Sequence, residues 1–210
     1  MTGSDLWREA WQRVEPGATT TRGRAKAERR RALLDAAARL FAERGFNGVS
    51  IDEIGQAAGV SGPAVYRHFA TKQEVLAKLL VGVSTALADG GERVVTDASD
   101  DEDALRGLIG FHTAFATAES DVIRVQDRDL ATLDDPAASR VRELQRAYIA
   151  LWARVLARVR DDLTPREARL RVRAAFGLLN STPHSTRALG AASGSAGRTL
   201  GRMAWAALTV

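Results

Sequence analysis

The sequence predicts an all-α fold, and three features predict it. Apolar residues recur at three- and four-residue spacing through most of the chain. Ser50 with Glu53, Thr71 with Glu74 and Thr164 with Glu167 each write a capping box at a helix start. Glycine or proline then supplies stop signals, at Gly45, Gly59 and Pro183.

Each element follows from local chemistry. Leu33, Leu34, Ala37, Leu40 and Phe41 mark a helix that stops at Gly45. Ser50 opens a second helix at about Ile51, and Gly59 stops it, because a left-handed residue there costs glycine nothing. Ser61 is placed to cap a third, whose first turn accepts Pro63. Ile54, Ala57 and Ala58, with Val60, Val65 and Phe69, form the apolar face that holds these two short helices against the first. Two short helices joined by a glycine turn over residues 50–69 make the layout of a DNA-reading helix-turn-helix. Thr71 opens a fourth helix through Leu76, Leu79, Leu80 and Val83.

Beyond it the chain continues in helices. Gly90-Gly91 and the acidic run 97–103 are read as a break, with the apolar pattern resuming over 104–118. A short segment carries Val122 to Leu133, and Asp134-Asp135-Pro136 opens a long helix through Val159. Pro165 starts the next, through Phe176 and Leu179, which Pro183 ends or kinks. Residues 182–197 read as a connector before a last amphipathic helix through Leu200 and Leu208. Leu6, Trp7, Trp11 and Val14 line one face of a short N-terminal helix that docks, or belong to a terminal tail.

Composition narrows the function. The chain has 210 residues, 45% of them hydrophobic, enough for a substantial core. It has no cysteine, which excludes disulfides, thiolate metal sites and thiol nucleophiles. The sequence lacks an apolar signal core and a run long enough to span a membrane, so a cytoplasmic protein is expected. It also lacks a nucleophile elbow, a zinc helix, a phosphate-binding loop and a dinucleotide fingerprint, and no metal or cofactor is expected. A helical protein-binding adaptor, or an enzyme without a known motif, is the competing class. Charge opposes it: residues 1–72 carry 12 Lys plus Arg against 8 Asp plus Glu, while the remaining residues balance.

Residues Leu33 to Leu76 resemble the N-terminal domain of the TetR family of bacterial transcriptional regulators. The resemblance runs through Leu40-Phe41-Ala42-Glu43-Arg44-Gly45-Phe46, Ser50-Ile51-Asp52-Glu53-Ile54, Ala57-Ala58-Gly59-Val60-Ser61, Tyr66-Arg67-His68-Phe69 and Lys72-Gln73-Glu74-Val75-Leu76. Gly55 stands where the family commonly has alanine, and Gly62-Pro63 gives the reading helix a small, stiff start. The resemblance implies an N-terminal extension over 1–21, a DNA-binding domain over 22–74, and a helical ligand-binding and dimerisation domain over 75–210. Tyr66, His68 and Lys72 match positions that in the family touch phosphate, with the Tyr66 ring alternatively belonging to the core. Ser50 adds a capped helix start, and Arg22, Arg24 and Lys26 lead in as a basic arm. Ser61, Gly62, Pro63 and Ala64 occupy the exposed start of the reading helix, and Arg67 is the first choice for a guanine edge.

A twofold operator requires two reading heads, so a homodimer is expected, with residues 165–182 and 196–210 as its interface. A small-molecule effector is implied as well. Phe111, His112, Phe115, Ile123, Gln126, Trp152, Phe176 and Asn180 are the candidate contacts, with Arg124, Arg128 and His184 as further polar candidates. Residues 176–185 resemble regulators of lipid and acyl-coenzyme A metabolism in actinobacteria, which implies an elongated apolar or acyl ligand.

Overall fold

The computed structural model describes residues 2–13, 20–182 and 193–210. Among these the regular elements are helices: α1 (Gly3–Arg13), α2 (Thr21–Arg44), α3 (Ile51–Ala57), α4 (Gly62–Val65), α5 (Lys72–Asp97), α6 (Asp101–Ala118), α7 (Ser120–Asp129), α8 (Asp135–Val159), α9 (Pro165–Leu179) and α10 (Ser193–Thr209), with a 3-10 turn at Leu130–Thr132. No described helix is long and apolar enough to cross a membrane.

The chain divides into two compact units, Trp11–Ser84 with Asp121–Arg142, and Met1–Ala10 with Thr85–Ser120 and Glu143–Val210. The cut differs from the sequence expectation of 22–74 and 75–210. It places α7 and the start of α8 with the helix-turn-helix.

In the first unit, α2 buries Leu33, Leu34, Ala37 and Phe41 as its spacing predicts. Gly45 follows it with φ 79 and ψ 159, a conformation essentially reserved to glycine. The Ser50–Glu53 capping box is complete. Gly59 turns the chain with φ 72. Val65, Phe69, Val75, Leu76, Leu79 and Leu80 complete the core. Ala57 is exposed rather than part of that face, and the buried small residue is Gly55. A Cβ on Gly55 would lie 2.8 Å from Val65 Cγ2 and 3.1 Å from the Val60 carbonyl, so this glycine lets α3 and α4 approach.

The second unit corrects two breaks. Gly90-Gly91 interrupts nothing and lies inside α5. A Cβ at Gly90 would stand 2.3 Å from the Phe111 ring, and one at Gly91 2.5 Å from the Tyr148 ring. The glycines are seats for aromatic rings. The acidic run likewise begins α6: Asp100 caps it by accepting from the Asp103 amide at 2.8 Å, and three acidic residues suit the positive end of the helix dipole. Residues 3–13 are helical, with Trp7 buried against Phe111 and Phe115 at 6.0 and 4.9 Å between ring centroids. The expected connector is helical from Ser193 onward, while Pro183 and His184 lie outside the described residues.

Candidate nucleic-acid interface and buried ring cluster

Local hydrogen bonding fixes the helix-turn-helix. The Glu53 carboxylate accepts from the Ser50 amide at 2.8 Å, the Ser50 hydroxyl at 2.7 Å and Arg44 Nη1 at 2.7 Å. The backbone amide first, then the guanidinium and hydroxyl, hold its pKa at about 2. Ser61 sits at the N-cap of α4, but its hydroxyl makes no cap bond and is exposed. Regular helix ends at Val65, and the chain continues to Phe69 through tight turns in which the His68 amide donates to the Val65 carbonyl at 2.8 Å. A Cβ on Gly62 would fall on Asp52 Oδ1, which accounts for the small residue at the start of α4.

The predicted contacts separate by environment. Arg22, Arg24 and Lys26 stand exposed on the first turns of α2. Pro63 and Arg67 are exposed, Gly62 and Ala64 half-buried, and Ser50 remains exposed as a cap. The Tyr66 ring is not in the core, since 56% of the residue faces solvent. His68 is half-buried with Nδ1 buried and lacking a partner. Burial, then the positive field of Lys26, Arg30, Arg29 and Arg67, pushes its pKa below the usual histidine value. Lys72 has a different first task from the one the sequence suggests. Its ammonium donates to the Phe46 and Val49 carbonyls, each at 2.8 Å, and lies 4.3 Å from the Phe46 ring centroid. One ammonium hydrogen remains for another acceptor.

The basic lead-in is also divided. Arg30 donates to the His68 carbonyl at 2.8 Å and stacks on Phe69 at 4.3 Å, so it braces the reading segment. Arg31 donates to the Trp11 carbonyl at 2.7 Å. Sequence reasoning missed Arg128, which donates to the Phe41 carbonyl at the end of α2 while its Nε and Nη2 grip the buried Asp129 carboxylate at 3.1–3.3 Å. Gln73 similarly donates to the Thr132 carbonyl at 2.5 Å. The only local signal for this docking was an Arg-Asp pair at the end of a short helix.

In the other unit, rings surround His112. Phe176, Phe115, Tyr148 and Trp152 have centroids 4.7, 5.4, 5.8 and 6.0 Å from its own. His112 Nε2 meets Asn180 Oδ1 at 3.0 Å, and burial lowers the pKa of His112 to about 4, so the imidazole is neutral near pH 7. Burial also pushes the Tyr148 phenol up. His112 Nδ1, Tyr148 Oη and Trp152 Nε1 are buried and have no partner among the described residues. The structure thus brings together Phe111, His112, Phe115, Trp152, Phe176 and Asn180 in one unit. Ile123, which is buried, and Gln126, which is half-buried, belong to the other. No group of residues with metal-ligand character occurs among the described residues.

Comparison with known proteins agrees with both halves. Residues 33–79 match the model described as bacterial regulatory proteins, tetR family, and residues 98–191 match the tetracyclin repressor-like C-terminal domain. The HTH-type transcriptional repressor KstR2 of Rhodococcus jostii (strain RHA1) is 31% identical over 142 residues, 67% of this chain and 69% of that protein. The solved ketosteroid transcriptional regulator KstR2 of Mycobacterium tuberculosis superposes with a TM-score of 0.68 at 22% identity, covering 93% of this chain and 97% of that one. AibR, solved in complex with isovaleryl coenzyme A and operator DNA, has a TM-score of 0.66 at 19% identity over 83% of this chain and 97% of its own.

Proposed function

This chain belongs to the TetR family of bacterial transcriptional regulators, and on that footing we propose that it is a dimeric repressor released from a palindromic operator by an apolar or acyl-type molecule. It is a DNA-binding regulator of transcription and not an enzyme. One observation carries the reading. The helix-turn-helix leaves Tyr66, 56% exposed, and Arg67 in solvent on a segment whose other side is buried through Val65 and Phe69. A large ring there has no packing task, whereas hydroxyl and guanidinium groups suit phosphate and base edges.

In this reading Arg67 takes the base-reading role at Ser61–Ala64, and Tyr66, His68, Ser50 and the exposed Arg22, Arg24 and Lys26 meet the backbone. Lys72 holds the loop before α3 and offers its remaining hydrogen to phosphate. Dimerisation falls to α9 and α10, whose exposed apolar residues Leu170 and Met203 are accompanied by exposed Ala174, Gly177, Ala206 and Ala207. Two such faces from twofold-related chains would bury each other.

The effector reading is supported by the ring cluster. With His112 neutral, the groups facing one another around it are apolar or uncharged, so the buried part of an effector is uncharged. A carbonyl on it would accept from Trp152 Nε1 or Tyr148 Oη. The coenzyme A thioester bound by AibR has the same combination of acyl chain and carbonyl. Release follows if the molecule favours a conformation in which the two heads no longer fit the operator. The test titrates an acyl-coenzyme A chain-length series into the protein–operator complex and reads fluorescence anisotropy. Release that grows with chain length and is lost in Trp152→Leu supports the proposal. Retention of DNA at saturating ligand, with or without the variant, contradicts it.

A further inference from the structure

A groove between α6 and α10, of about 440 Å³, belongs neither to the DNA-reading surface nor to the ring cluster. It uses a different stripe of α6: Arg106, Ile109 and Thr113 recur at helical spacing there, whereas Leu108, Phe111, His112 and Phe115 face the core. The volume lies within the range of small-molecule sites.

Three arginines rim it. Arg106 is held in place, with its Nε and Nη2 on Glu102 Oε1 at 3.2 and 2.6 Å and its guanidinium stacked 3.6 Å over Trp205. Arg198 and Arg202 are one turn apart on α10, exposed, and make no ion pair among the described residues. Their positive charge exceeds what Glu102 offsets. The floor is apolar, made by Ile109 and Trp205, and the buried Thr113 Oγ1 has no partner there.

The space is kept open at a cost to the helices. A Cβ at Gly110 would meet nothing within 4 Å, and one at Gly201 only ordinary contacts at 3.7 Å with Ile109 and Thr113. Glycine inside a helix is about 1 kcal/mol worse than alanine. Neither position needs it for packing within the chain, and both open the floor.

We propose that this groove is a binding site for an amphiphilic anion, a carboxylate or phosphate carried on an apolar body, with the anion on Arg198 and Arg202 and the body along the Ile109–Trp205 floor. Arginine forks match either oxyanion. The site does not depend on the effector reading, because a molecule held at the ring cluster keeps its affinity when the arginines are changed.

Isothermal titration of the full-length protein with decanoate, decyl phosphate, decanol and inorganic phosphate, below micelle-forming concentrations, tests it. At least one of the two anionic amphiphiles binds, and which one binds identifies the head group. Decanol and inorganic phosphate each bind at least about tenfold more weakly, and the R198Q/R202Q double variant loses at least about tenfold for the anion. Gly110→Leu fills the groove and abolishes that binding without lowering the thermal midpoint. Equal affinity for decanol, binding of inorganic phosphate as tight as that of its decyl ester, or affinity unchanged in R198Q/R202Q overturns the proposal. A changed sedimentation coefficient in either variant overturns it too, by making the groove an interface between chains.

Discussion

The DNA-reading unit and the ring-lined unit treat their buried polar groups in opposite ways. In the first, Lys72, Arg30, Arg128 and Ser50 all close turns or helix ends with hydrogen bonds, and His68 Nδ1 is the one buried side-chain atom without a partner among the described residues. In the second, four such atoms occur: His112 Nδ1, Thr113 Oγ1, Tyr148 Oη and Trp152 Nε1. Each unsatisfied group costs about 1–3 kcal/mol. A reading head must hold one geometry, and its polar groups are closed by the chain itself. A ligand-responsive core can leave polar groups for the ligand to complete, and stays biased between conformations by that deficit.

Substitutions at the centre of each unit sharpen the contrast. Trp152→Ala removes the largest fully buried side chain and should cost about 3–5 kcal/mol in urea unfolding. A loss below about 1 kcal/mol would mean that the ring cluster is loosely packed.

The next largest effect is one of pH. His112 titrates at about 4 in the folded chain against 6.5 ordinarily, because burial opposes its charge. Between those values the unfolded chain binds the extra proton. The stability held by the neutral ring is therefore complete above about pH 6.5 and is lost as pH falls toward 4, by up to about 3 kcal/mol. His112→Phe should flatten this part of the stability profile, and an unchanged profile would place the titration elsewhere.

Smaller effects belong to the reading head. Gly55→Ala crowds Val65 and the Val60 carbonyl and should cost about 1–3 kcal/mol, with DNA affinity falling alongside the thermal midpoint. Ser50→Ala removes a cap worth about 1 kcal/mol. If both variants left stability untouched, the contrast between a closed head and an open core would fail.

The same contrast explains what was legible in the sequence. Helix starts at Ser50 and Thr164 and the turns at Gly45 and Gly59 depend on a few neighbouring residues, so their chemistry is written locally. Gly90-Gly91 looks like the same signal and means something else, because the rings that need the space come from Phe111 and Tyr148, far along the chain. The acidic run was misread for the reverse reason: a break signal and an N-cap use the same residue, and only the helix that follows tells them apart. Among the effector candidates, six share the ring-lined unit, but Ile123 and Gln126 pack with the other, since apolar spacing on a short helix does not say which neighbour it faces. Arg128 was seen as a polar ligand contact, and its bond to a helix-end carbonyl had no sequence pattern to announce it. The N-terminal helix was half legible, through the spacing of Leu6, Trp7 and Trp11, while its ring partners lie about a hundred residues away.

The most direct test of the central claim is selection of genomic DNA fragments by the purified full-length protein at near-physiological salt, with Arg67→Ala run in parallel. The account predicts recovery of a short inverted repeat by the wild-type protein. It also predicts that Arg67→Ala relaxes one position in each half-site, at a cost of about 1–3 kcal/mol on that sequence and little on random DNA. Recovery of nothing above random fragments by the wild-type protein, or equal losses on specific and random DNA for the variant, would contradict it.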